Sequence, residues 1–200
     1  MSDLPEHLGG SLNKTHVDGG VLRFFRNELG CRSMLDVGCG PGGQVALAEE
    51  LGYDAMGVEG DWTLDFETDK VLMHDFTEGA PEIDREFDLV WSVEFVEHVE
   101  AEYIPAYMPC FRTAKYVVMT HAPPGTEDAP HHVNCQWSDY WIDVFNQYGF
   151  RHDEELTKKI HELSTMKKPF IKRNGMVFVN TSREEGQKIT VDMGFVKEQL

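Results

Sequence analysis

No stretch of the 200 residues approaches the ~20 consecutive apolar positions that would cross a bilayer. The opening MSDLPEHLGGS has neither the basic nor the apolar region of a secretion signal, so a cytoplasmic compartment and no membrane partner are expected. Cysteine is sparse. Cys31, Cys39, Cys110 and Cys135 are scattered with no C-x-x-C pair, which argues against a zinc frame or a disulfide scaffold. Positive charge is scarce as well: 18 Lys and Arg stand against 35 Asp and Glu, a net charge of -17. A field of that sign repels phosphate backbones, so nucleic acid is not an expected partner. Repeats and low-complexity tracts are missing, and nothing sets an oligomeric state.

What the chain does have is an alternation of strand and helix signals. With 41% apolar residues it can bury a substantial core as one domain over 1–200. Residues 1–17 read as a polar arm. Asp18 is placed to cap a helix running to Leu29, with Val21, Leu22, Phe25 and Leu29 on one face and Gly30 as its stop. Val45, Ala48 and Leu51 mark a second helix, ended by Gly52. Short apolar strands are expected at 34–37, 55–58, 71–73, 87–93, 116–119, from Phe150 onward, and at 176–179. Over 100–112 a helix is expected to be interrupted, because Pro105 and Pro109 each remove a donor. Trp137, Trp141, Val144, Phe145 and Tyr148 share one helical face, closed by Gly149. Residues 157–173 form a basic insertion in an otherwise acidic chain, and the 181–200 tail alternates at Ile189, Val191, Met193 and Phe195. This order argues for a mostly parallel sheet with helices on both faces.

The stretch MLDVGCGPGGQ, residues 34–44, runs from the first strand into a glycine turn, the place where open α/β sheets bind ligands. Gly38, Gly40 and Gly43 spell G-x-G-x-x-G, a pattern common to dinucleotide and S-adenosylmethionine sites. Asp36 would oppose a pyrophosphate but suits the ammonium of a methionine moiety. Glu59, at the end of the second strand, can accept from both ribose hydroxyls of either cofactor and does not discriminate.

In order, DVGCGPG, VEGD, HDF and FDLVWSVEFVEHV resemble the motif series of class I S-adenosylmethionine-dependent methyltransferases over residues 35–98. The resemblance implies a Rossmann-like seven-stranded sheet, mostly parallel with an antiparallel last strand, and S-adenosylmethionine as cofactor. It also implies roles. Asp36, Gly38, Cys39 and Gly40 would line the methionine end, and Glu59 would hold the ribose diol. Asp75 would accept from the adenine amino group, beside the backbone N–H of Phe76. Ser92 and Val93 would flank the cofactor. The fourth strand ends in WSVEF, unlike the Asn/Asp-Pro-Pro-aromatic motif of DNA amino-methylating enzymes, and no Pro-Cys motif of cytosine-C5 enzymes is present. A small-molecule or glycan-type acceptor, methylated on oxygen, is therefore expected. An NAD-dependent oxidoreductase or a non-catalytic S-adenosylmethionine-binding protein are the alternatives.

Methyl transfer to a hydroxyl needs alignment, desolvation and a base. Histidine suits that task near neutral pH, and the loops after strands four and five carry several. His121 and His98 are the expected bases, with His132 as a further catalytic candidate. Asn134 and His16 are expected to orient the acceptor, and Lys167 and Lys168 to attract an anionic one. His121, His131 and His132 with Glu127 or Asp128 lack the ligand spacing of a known metal site, so no metal is expected.

Overall fold

The computed structural model describes residues 4–8 and 13–183. The alternation at 189–195 lies outside the described residues. Seven strands form one sheet: β1 (Ser33–Val37), β2 (Asp54–Glu59), β3 (Val71–Met73), β4 (Phe87–Ser92), β5 (Ala114–Met119), β6 (Phe150–His152) and β7 (Met176–Asn180). Their order is β3-β2-β1-β4-β5-β7-β6. Pairing is parallel from β3 through β5, and β7 runs antiparallel to both β5 and β6. β1 lies between β2 and β4, with Met34 opposite Ala55 on one side and Leu89 on the other. Its exit is therefore the switch point of the sheet, where the connections diverge and leave a crevice.

Six helices cover the sheet: α1 (Gly19–Asn27), α2 (Gly43–Glu50), α3 (Ile104–Arg112), α4 (Ser138–Gln147), α5 (Glu154–Leu163) and α6 (Phe170–Asn174). Strand side chains alternate between faces. Leu35, Val37, Val117 and Phe178 join a cluster with Tyr107, Phe111, Trp141 and Phe145 from α3 and α4. Met34, Leu89, Val118 and Val177 join the opposite cluster with Leu22, Phe25, Val45, Ile160 and Ile171. Burial on both faces is why these strands read as short continuous apolar runs.

Two expectations are corrected. Pro109 does not interrupt α3, which runs through it unbroken. Pro105 occupies the first turn, where a missing N–H costs nothing, and both prolines lie on the exposed side. Trp137 is not on the buried face of α4; it is the residue before the helix and is 63% exposed. The basic segment lies between β6 and β7 and forms most of α5, the turn after it and α6, with Ile160, Met166 and Ile171 buried against the α1 side. Asp18 ties them down. Its carboxylate accepts from the Val21 N–H as the α1 cap, and from the Ser164 hydroxyl, the Thr165 N–H and hydroxyl, and the Met166 N–H in the α5–α6 turn.

Candidate active site

A cavity of about 350 Å³ opens at the carboxyl ends of β1, β2 and β4. The glycine turn makes its floor. Gly38 adopts φ +72°, and a Cβ there would collide with the ring of Phe95, so both conformation and space require glycine. Asp36 faces this cavity and is 3% exposed. Burial, with Glu59 nearby, pushes its carboxyl well above the usual range. A buried carboxylate without a paired cation is costly, so this corner suits a cationic group.

Glu59 is held rigidly. Its Oε2 accepts from the Gly40 N–H at 2.7 Å, and its Oε1 from the N–H groups of Gly60 and Asp61 at 2.8 and 3.0 Å. Burial still raises its pKa against these three bonds. A carboxylate offers about four acceptor positions, so Glu59 both shapes the turn and retains capacity for a ligand hydroxyl.

Asp75 caps the short 3-10 helix Phe76–Glu78, its Oδ1 accepting from the Thr77 N–H and hydroxyl at 2.8 Å each. His7 of the arm donates Nε2–H to its Oδ2 at 2.8 Å. Burial alone would raise Asp75, but the bonds from His7 and Thr77 outweigh it and hold it below the carboxylate norm. The arm also crosses the glycine turn, where the Gly43 N–H donates to Thr15 Oγ1 at 3.0 Å. His7 and Thr15 line the cavity and were not singled out from sequence, because their partners are 68 and 28 residues away.

The cavity gathers Asp36, Gly38, Cys39, Gly40, Glu59, Asp75, Phe76, Val93, His16, His98 and His132 from among the expected residues. Ser92 is fully buried and spends its hydroxyl on the Val37 carbonyl, bridging β4 to β1 at 3.0 Å. His121 does not line the cavity. It is 2% exposed, with Nε2 against Ser138 Oγ at 3.0 Å, and burial lowers its pKa. Asn134 is buried too, donating to the Val99 carbonyl and accepting from Gln136. Lys167 and Lys168 are exposed in the α5–α6 turn and do not line it either. Lys168 is close enough to His16 to help burial depress that imidazole's pKa.

At the end of the cleft beyond the glycine turn, His98 and His132 meet edge to face, ring centroids 4.9 Å apart. Burial and the neighbouring His132 push His98 down to about 4. Burial also lowers His132. Both rings are therefore neutral at pH 7. Glu94 lines the same end in a left-handed conformation, φ +54°. It is clamped by Thr120, which donates its hydroxyl to Oε1 at 2.7 Å and accepts from the Glu94 N–H at 2.8 Å.

The glycine turn, the acidic end of β2 and the Asp75 cap thus stand together around one crevice. Residues 35–116 match the family described as "Methyltransferase domain". Over those residues the chain carries a methyltransferase domain, and its seven-stranded sheet has the Rossmann-like fold of methyltransferases. Its methyl donor is S-adenosylmethionine. Among solved structures the methyltransferase is similar to the sugar N-methyltransferase KedS8 from Streptoalloteichus sp ATCC 53650, at 18% identity and TM-score 0.59, over 80% of this chain and 85% of that one. A TehB-like SAM-dependent methyltransferase from Corynebacterium glutamicum is similar at 20% identity and TM-score 0.57, over 80% and 87%. Magnesium protoporphyrin IX methyltransferase from Synechocystis PCC 6803, solved with bound SAM, is similar at 12% identity and TM-score 0.52, over 79% and 74%. These likenesses establish the fold. No curated protein matches the sequence. No helix among the described residues is long and apolar enough to cross a membrane.

Proposed function

We propose that this methyltransferase methylates an oxygen of a small-molecule or glycan-type acceptor, and that the acceptor binds where His16, His98, His132 and Glu94 meet the cleft. The observation that carries this reading is the pair of imidazoles, His98 and His132, that meet edge to face in the lining of the cleft. Asp36 supports it from the other side, as a buried carboxylate suited to the donor's ammonium, with Glu59 toward the ribose and Asp75 and Phe76 toward the adenine. When bound, the donor supplies an electrophilic methyl group on a sulfonium. The acceptor oxygen gains that carbon, the carbon–sulfur pair stays on sulfur, and the oxygen loses its proton. The imidazoles' part is to promote that loss, and the enclosing residues hold the oxygen in line and exclude water. The size of the cavity and the charge of -17 favour a small acceptor over nucleic acid.

Methyl transfer from labelled donor to panels of hydroxyl, amine and thiol metabolites tests the proposal. Hydroxyl acceptors should turn over, and His132→Ala should slow them at least about a hundredfold, the usual worth of acid–base catalysis. Turnover restricted to amines or thiols, or a His132→Ala enzyme as fast as the parent, would refute it.

A further inference from the structure

Glu97 is fully buried, and neither of its carboxylate oxygens has a hydrogen-bond partner. Its backbone is well used, since its carbonyl accepts from the N–H groups of Val133 and Asn134 and so fixes the loop that carries His132. Its side chain is the anomaly. A buried carboxylate with nothing bound to it costs several kcal/mol. A proton would remove the charge but leave a buried hydroxyl with no acceptor. A cation at the carboxylate satisfies both oxygens and offsets the neighbouring charge of Glu94.

The neighbours fit a cation. Glu97, His98 and His132 each present one ligand atom, and these atoms lie within 4.8 Å of one another. An ion holding nitrogen and oxygen at about 2.0–2.2 Å spaces its ligands about 3–3.5 Å apart, so small side-chain rotations complete the set. The free nitrogens are defined as well. His98 Nδ1–H donates to the His131 carbonyl at 3.0 Å. His132 Nδ1 meets Thr126 Oγ1 at 3.3 Å and Cys135 Sγ at 3.6 Å; the Thr126 hydroxyl donates to the Pro123 carbonyl, which favours the ring as donor to Thr126. Both neutral rings are thereby left with a bare Nε2, in the arrangement by which outer hydrogen bonds orient metal-ligating histidines. The strained backbone of Glu94 and of His131, φ +54° and +58°, brackets the cluster.

We propose that Glu97, His98 and His132 bind a divalent transition-metal ion, zinc or manganese in type, at the acceptor end of the cleft. Two imidazoles and one carboxylate suit such an ion better than the all-oxygen shell preferred by magnesium. The set leaves coordination positions open towards the cavity that His98 and His132 line. For the ion's role the inference rests on the oxygen-acceptor reading above; the ligand set does not. A hydroxyl bound to the ion loses its proton to solvent far more easily, and the oxygen left behind attacks the methyl carbon. The imidazoles then act on the acceptor's proton through the ion rather than by taking it.

The full chain, stripped of metal by chelation and dialysis, is titrated calorimetrically with Zn²⁺ and with Mn²⁺. One ion per chain is expected, with affinity falling at least tenfold in Glu97→Gln and in His132→Ala while S-adenosylmethionine binding changes less than twofold. No binding by the parent chain, or binding unchanged in both variants, overturns the site. Chelator should stop transfer to a hydroxyl acceptor and leave donor binding intact; transfer at full rate in chelator overturns the ion's role. An absence of hydroxyl turnover under any metal condition, with the ion still bound, would instead count against the oxygen-acceptor reading alone.

Discussion

Asp36 and Glu97 show how much a single carboxylate can say once its surroundings are known. Asp36 was legible as a carboxylate two residues before the first turn glycine, and the structure buries it in the lining of the cleft. Its folded pKa is raised by burial and by Glu59, whereas in the unfolded chain it takes the ordinary value near 3.9. Between those values the folded protein holds a proton that the unfolded chain has released, so stability falls as pH rises through that window. The melting temperature of the parent relative to Asp36→Asn should therefore fall as pH rises from about 4, whereas the lowered imidazoles of His98, His121 and His132 contribute to both proteins with the opposite sign and cancel in that difference. The same variant should weaken S-adenosylmethionine binding at least about tenfold, the worth of one hydrogen bond to a charged group. Glu97, by contrast, has no sequence signal of its own beyond its place in the segment FDLVWSVEFVEHV. Its oxygens are unpartnered only because the loop after β5 folds back over it, and no spacing in the sequence encodes that.

At the scale of elements, the caps and strands follow local chemistry closely. Asp18 was legible as an N-cap, and Gly30, Gly52 and Gly149 stop helices with φ of +73°, +84° and +86°. What the sequence did not disclose is that Asp18 also gathers the α5–α6 turn. Asp18→Ala should cost more than the about 0.5–2 kcal/mol of a lost cap, since it also strands the buried donors of Ser164 and Met166 and the part-buried N–H of Thr165. Chemical denaturation reads this directly. On the other face, Phe178 of β7 stacks on Phe145 of α4 at 4.1 Å and 14°. Phe178→Ala should lose about 3–5 kcal/mol with the fold retained, because the stack fixes the antiparallel strand against the helix layer. Pro109 was misread because a proline is judged locally, whereas its cost depends on whether the freed carbonyl faces solvent.

For the molecule as a whole, charge is the dominant trait. A net charge of -17 on one compact domain is self-repulsive. Raising ionic strength from about 0.01 M to about 0.15 M shortens the screening length from roughly 30 Å to roughly 8 Å. The melting temperature should accordingly rise by a few degrees over that range; a salt-independent midpoint would mean that the acidic side chains are already compensated. Lys167 and Lys168 do not line the cleft. Lys167 and Lys168 are exposed in the turn beside it, and only the influence of Lys168 on His16 reaches the site.

The sequence by itself determined the strand–helix order, the glycine turn with its acidic approach, and hence the class of methyl donor. Those features are local: periodicity, φ preference and a carboxylate at a strand end act within a few residues of one another. Only the tertiary structure decided which histidines share the cleft, that the arm's His7 reaches Asp75, and that Glu97 is buried against His98 and His132. Such pairs span tens of residues and exist only after the β4 and β5 loops close over the sheet, because burial and partnership belong to the packed chain rather than to the residue.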